Sequence, residues 1–263
     1  MEVHHHPHVP HHKKPWKEYL IEGFMIFVAV TLGYGAENIR EHFVEKNKAI
    51  VNVQNLYKDL KDDSIAFVIQ IKSRNKQDSC TNIISNLYDQ RKIEQSIPTL
   101  YAAHSYIAYR IMPVINTMAL DQIKSSGAIN FIEDERLKQE IQYYANSTIG
   151  LKTRELREYN FIDKNLDPLT MSRFEHKFFQ EISEYDNFEI KGDELLVTIK
   201  IPEGLKIINK STFDWDNYLS VLSMLKTIRK STDRLYTLPI QTQCNKLLGH
   251  VRNYLIENNA LID

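Results

Sequence analysis

Residues 19–36, YLIEGFMIFVAVTLGYGA, constrain this chain more than any other stretch. They form an apolar run of 18 residues that passes, with no Gly-Pro break, into the charged helical pattern opening at Glu37, Asn38, Ile39 and Arg40. At helical rise such a run is about 27 Å long, just short of a hydrocarbon core of about 30 Å, and extension into residues 37–39 closes the gap. The basic, aromatic collar of Lys13, Lys14, Trp16 and Lys17 suits a headgroup region, with Tyr19 at the same interface and Tyr34 near the other. Glu22 sits one turn inside the run, where it snorkels toward Lys17 or faces a neighbouring helix. The pattern predicts a single transmembrane anchor over residues 16–38. A cleaved signal peptide shares these ingredients, with Gly33, Gly35 and Ala36 as its small residues, but the helical continuation from Glu37 favours the anchor.

Orientation follows from flanking charge. Lys13, Lys14 and Lys17 precede the span and Arg40, Lys46 and Lys48 follow it, a tie in number that the N-terminal side wins by proximity. The expected topology is an inner-membrane, single-pass protein with a cytoplasmic N-terminus. Its C-terminal domain, residues 39–263, would then be periplasmic in a bacterial cell.

Beyond the anchor the apolar positions keep a heptad: Ile39, Phe43, Ile50, Val53, Tyr57, Leu60, Phe67 and Ile71, with Lys46 and Ser64 as polar lapses. Extended backwards, the register collects Ala36, Leu32, Ala29, Met25 and Glu22. One seam thus carries small residues where lipid-phase helices pack closely and large ones where water drives burial. Two readings follow: a self-associating or partner-binding rod, or a helix whose aqueous half packs on later helices of the same chain.

The polar stretch at residues 73–78, SRNKQD, predicts a bend or stop, with a second helix over 79–91. Pro98 opens a helix to about Arg110, and Met112-Pro113 breaks the chain before a helix over 114–125 that Gly127 ends. Asp134 caps a long helix over 135–166, marked by Leu137, Ile141, Tyr144, Leu151, Tyr159 and Ile162, which Asp167-Pro168 terminates. After a helix near 169–184, residues 188–190 and 195–201 alternate as strands and 205–208 add a third, a β-hairpin or meander insertion over about 186–209. Asp214 or Thr212 then caps a helix to about Tyr236, and Pro239 starts the last one. Only eight glycines and eight prolines fit this mainly α, helical-bundle class.

Chemistry is sparse. The balance of 33 basic and 34 acidic residues argues against nucleic-acid binding. Cys80 and Cys244 are too few for a zinc site and read as two unpaired buried thiols, or as a disulfide pair if the domain lies in an oxidising compartment. Six of the ten histidines lie in the tail of residues 1–15: His4, His5, His6, His8, His11 and His12. Imidazoles at that density suit Zn, Ni or Cu, or else form a solvated tail. His42, His104, His176 and His250 are isolated. Tyr143-Tyr144 and the group Tyr101, Tyr106 and Tyr109 are core aromatics or the lining of an interhelical pocket. No phosphate-binding loop, dinucleotide fingerprint, nucleophile elbow or zinc-protease motif is present, so no catalytic residue is assigned.

The opening MEVHHH, followed by HHKKPWKEYLIEGFMIFVAVTLGYGAENIREHFVEK, resembles the amino terminus of a set of uncharacterised single-pass membrane proteins common in Bacteroidetes. Residues 117–132, TMALDQIKSSGAINFI, are similar to an internal element of related proteins of unknown function. The resemblance covers about the first fifth of the chain and that element. It implies an inner-membrane, periplasm-facing protein and brings no activity. Two functions fit: a non-enzymatic membrane-anchored interaction or scaffold protein, binding itself or other envelope membrane proteins, and a metal- or small-ligand-responsive binding protein using the His tail or an interhelical pocket.

Overall fold

The computed structural model of the chain describes residues 15–111, 115–185, 187–191, 194–198 and 200–261. It is predominantly helical and divides into two units, residues 1–48 and 49–263. In the first unit, the described residues belong almost entirely to the N-terminal part of α1 (Trp16–Asp89, 74 residues). The apolar stretch lies here, long and apolar enough to cross a membrane and with none of it buried.

The second unit is built on the rest of α1. The next helices are α2 (Ile97–Ala108), α3 (Met118–Ser125), α4 (Glu135–Phe161), α5 (Asp167–Arg173) and α6 (His176–Tyr185). The strands β1 (Asn187–Lys191) and β2 (Glu194–Thr198) pair antiparallel with Phe188 opposite Val197, and α7 (Trp215–Thr232) and α8 (Leu238–Glu257) close the chain. Residues 192–193, expected in the turn, lie outside the described residues.

Burial along the aqueous part of α1 follows a strict alternation of steps of three and four: Val53, Leu56, Leu60, Asp63, Phe67, Gln70, Arg74, Gln77, Thr81 and Ile84. The expected register shares Val53, Leu60 and Phe67 with this stripe. It errs by one position at the intervening sites, where Tyr57, Ser64 and Ile71 are only half-buried. Two of the three residues at the buried sites, Asp63 and Gln70, are polar, so hydropathy does not single them out.

The same effect corrects the expected break at 73–78. The helix runs through it without interruption, because Ser73, Arg74 and Gln77 are not solvent-facing but buried. The later boundaries follow the local chemistry. Pro98 stands in the first turn of α2, and Gly127 ends α3 in the left-handed region at φ 71°. The Asp134 side chain caps α4 by accepting from Leu137 N, and Asp214 caps α7 by accepting from Asn217 N. α3 begins at Met118, later than the helix expected from 114.

Asp167-Pro168 does not end helical structure. A π turn over Ile162–Leu166 joins α4 to α5, with Asp167 N–H donating to Ile162 O, and Pro168 falls in the first turn of α5. An identical arrangement joins α7 to α8: a π turn over Asp233–Thr237, Leu238 N–H donating to Asp233 O, then Pro239. A proline has no N–H and crowds the preceding turn, and a widened turn ahead of it relieves both problems without unwinding the helix. Residues 205–208 do not form a third strand. Ile207 makes one isolated bridge to Phe174, and Ile208 N donates to Arg173 O at 2.9 Å, while Leu205 is buried in the helical core.

The core of the second unit consists of two apolar clusters. One joins Val53, Leu60 and Phe67 of α1 to Leu137 to Leu151 of α4 and Ile240 to Leu255 of α8. The other joins Ile84 to α2, to the π turn at Ile162 and Leu166, and to Tyr218, Leu222 and Leu225 of α7. Along α1 the interval between Phe67 and Ile84 is polar. So is the interval between Leu151 and Ile162 on the α4 side, and that between Ile228 and Thr237 on the α7 side. These intervals meet.

Candidate functional site

Three helices contribute to a buried ionic layer where the two apolar clusters part. Arg74 of α1 donates to Glu158 of α4 at 2.9 Å and to Asp233, first residue of the second π turn, at 2.5 Å. Arg229 of α7 donates to the other oxygen of Glu158 at 2.7 Å and to Ile107 O, near the end of α2, at 2.9 Å. Gln77 of α1 donates to Tyr106 O and Tyr109 O at 3.1 and 2.8 Å, so the loosening end of α2 is held by α1. Gln70 donates from Nε2 to Glu155 at 2.8 Å.

These groups sit where water cannot screen them. Glu158, Arg74 and Arg229 are each at most 4% exposed at the side chain. Burial opposes the charge on Arg74, and Glu158 with Asp233 more than offsets it, raising its pKa. For Arg229 burial wins and the pKa falls. Burial raises the pKa of Asp78, against the pull of Lys226, Lys230 and Arg229 at the layer's edge. Two guanidinium groups therefore face two tightly bonded carboxylates, Glu158 and Asp233, with Glu155 as a third carboxylate joined to an amide.

Nearer the N-terminal end of the buried part of α1, Asp63 is 1% exposed and accepts from Asn116 N at 2.9 Å and from Tyr144 OH at 2.7 Å. Asp59, one turn before it, accepts from Asn116 Nδ2 and from Ala119 N. The two carboxylates satisfy the free backbone donors at the start of α3 and fix that short helix against α1. Burial, only partly countered by the Asn116 and Tyr144 bonds, pushes Asp63 up to about 6. Burial also pushes the Cys244 thiol up to about 12, and Cys80 is a half-buried free thiol.

Among the isolated histidines, His104 is a core group. Its Nδ1 lies 2.8 Å from Tyr218 OH and its Nε2 2.9 Å from Thr170 Oγ1, and burial pushes its pKa down to about 3. His250 bridges Asp134 and Glu140 at 2.9 and 3.0 Å, with Lys246 also on Glu140, beside a surface depression of about 380 Å³. Tyr101, Tyr106 and Tyr144 are buried, filling core space instead of lining an opening, and Tyr143 is exposed.

The expected membrane seam lies along one face of α1: Glu22, Met25, Ala29, Leu32, Ala36, Ile39 and Phe43 are all exposed in the single chain. Trp16 opens the helix, and Lys17, Tyr19 and Tyr34 follow along it, also exposed. Lys13, Lys14 and the histidines at 4, 5, 6, 8, 11 and 12 lie outside the described residues, as does the proposed Zn, Ni or Cu site. The described residues contain no cluster of three or more metal-ligating side chains.

Sequence reasoning missed the ionic layer because its members are up to 159 positions apart and each looks like a surface residue in its own helix. One signal was present: Gln70, Arg74 and Gln77 fall on the heptad stripe, so a polar gap at core spacing marks buried partners as well as it marks a helix end. No protein-family model, curated protein or solved structure matches this chain.

Proposed function

We propose that this chain is a single-pass, membrane-anchored helical scaffold of the cell envelope, non-enzymatic, that associates with a second copy of itself through the seam of α1. One observation carries the reading. A single helix of 74 residues includes the exposed apolar span at its start and supplies buried core residues from Ala49 onward. An apolar helix face without protein cover is stable in lipid, and its placement ahead of a folded domain is the arrangement of an anchor. Ala29 and Ala36 stand seven residues apart on the seam, where small side chains let two lipid-phase helices approach closely. Ile39 and Phe43, each 61% exposed, extend the same face past the span, where association removes apolar surface from water.

In this reading the N-terminus is cytoplasmic and the helical domain, with the 187–198 strand pair as an insertion, faces the periplasm. The inner membrane is its site. The test is a detergent extraction of the intact chain after cysteine cross-linking at Ala36→Cys, followed by affinity capture and mass spectrometry. Cross-linked dimer is the expected result. Capture of a different envelope membrane protein, without dimer, would transfer the interaction to that partner, and a monomer with no companion would end the scaffold reading.

A further inference from the structure

We propose that Glu155 of α4 and Gln70 of α1 form a proton-binding site inside the helical domain, in which the protonated Glu155 carboxyl donates its hydrogen to the Gln70 carbonyl oxygen. Gln70 is fully buried and Glu155 is 4% exposed. The Gln70 Nε2 already donates to Glu155 Oε1 at 2.8 Å, while Gln70 Oε1 is buried with no donor. A carboxylate has nothing to offer that oxygen. A carboxylic acid has one hydrogen to give, and an acid facing a primary amide closes a reciprocal pair of hydrogen bonds. The orphaned oxygen is the second half of that pair, waiting for a hydrogen.

The surrounding charges point the same way. Glu155 is faced by Gln70 and Arg74 from α1 and by Asp233 from the π turn, with Glu158 and Tyr159 on its own helix. Arg74 and Arg229 are committed to Glu158 and Asp233 by the bonds given above. Glu155 therefore carries the layer's surplus negative charge, and uptake of one proton from solvent brings two cations and two anions into balance. Burial, together with Glu158 and Asp233 and against Gln70 and Arg74, pushes its pKa up to about 7. The site is thus filled or emptied near neutral pH. Proton release removes one of the two bonds joining Gln70 to Glu155 and leaves an uncompensated anion between α1 and α4.

Infrared titration of the full chain in detergent reads the site directly, since a protonated carboxyl has a carbonyl stretch that the carboxylate lacks. Asp63 also titrates in this region, so the measurement is made in both the native chain and Asp63→Asn. In the Asp63→Asn background a carboxylic-acid band should be present at about pH 5 and absent by about pH 8.5, with a midpoint near neutrality, and adding Glu155→Gln should abolish it; in the native chain Glu155→Gln should remove only the higher-pH part of the band. The amide introduced by Glu155→Gln donates to the same Gln70 oxygen, so the variant should melt higher than the native chain at the alkaline pH and with it at the acid pH. A near-neutral band that survives Glu155→Gln in the Asp63→Asn background would overturn the proposal. So would a melting difference of the same size at both pH values.

Discussion

Arg74 and Glu158 meet at 2.9 Å in the middle of the helical domain, and the same carboxylate also takes Arg229 at 2.7 Å. Glu158 is therefore shared by two cations, each belonging to a different helix. Above and below it the packing is apolar and separate, so α1, α4 and α7 are brought into one register by charge at the level where hydrophobic contact is interrupted. Apolar packing is tolerant of small slides between helices. A guanidinium held between two partners on different elements, as Arg74 is by Glu158 and Asp233, is not, and register is the property such a layer would specify.

Glu158→Ala should cost about 3–5 kcal/mol in chemical denaturation, because it leaves two buried guanidinium groups short of a counter-charge. Glu94→Ala provides the contrast. Its partner Lys210 is 52% exposed, and loss of that surface pair should cost no more than about 1 kcal/mol. Equal effects from the two substitutions would mean that the layer contributes nothing beyond an exposed ion pair.

His104 sets a pH dependence of its own. Its folded-state pKa, about 3, lies below the ordinary value of 6.5, so between those values the unfolded chain binds a proton that the folded chain refuses. Stability from this residue is complete above the unfolded value and falls with acidification, by up to about 1.4 kcal/mol per pH unit. Asp63 and Glu155, both raised, act in the opposite sense: their contribution is complete in acid and is lost as pH rises toward about 6 and about 7. Comparing His104→Gln with the native chain isolates the histidine. The difference in denaturation midpoint between them should change steadily from about pH 6 to about pH 4, and a constant difference would show that His104 is protonated in the folded state.

The helical class was legible because capping chemistry is local. Asp134, Asp214, Gly127, Pro98 and Pro239 each act within one turn of their own position, and each stands at a boundary in the structure. Register was less legible. At Tyr57 and Ile71 the sequence offers apolar residues, yet the buried neighbours are Leu56 and Gln70, and the Gln70 amide N–H is taken up by Glu155, a residue 85 positions away. Hydropathy ranks a residue by its cost alone in an apolar medium, whereas burial depends on what it meets. Pro168 misled for a related reason: its local rule is helix termination, and the π turn before it lets the axis continue.

Glycines in the two long helices give a test of backbone cost. A Cβ on Gly150 would lie 3.6 Å from the Tyr236 ring, an ordinary contact, and one on Gly249 would meet nothing within 4 Å. Gly150→Ala and Gly249→Ala should each stabilise the domain by about 0.5–1 kcal/mol in thermal or chemical melts. Gly127→Ala should destabilise by about 1–2 kcal/mol, because φ there is 71° and a Cβ disfavours the left-handed region. A destabilising Gly249→Ala would indicate that this face of α8 is covered by another protein.

No described residue before Ala49 is buried, and the second unit begins at that residue. The apolar clusters, the ionic layer and the Asp59 and Asp63 clamp on α3 all draw on α1 from Val53 onward. A chain starting at Ala49 keeps these contacts and loses the apolar span with its exposed aromatic and aliphatic side chains. It should therefore be soluble without detergent and melt within a few degrees of the full chain. The full chain should stay in the membrane fraction after alkaline carbonate extraction, as an 18-residue apolar helix in lipid requires. Recovery of the native protein in the soluble fraction with a new terminus near Glu37 would identify the apolar stretch as a cleaved leader. An insoluble or unfolded fragment from Ala49 would show instead that residues before it are needed for the fold of the domain.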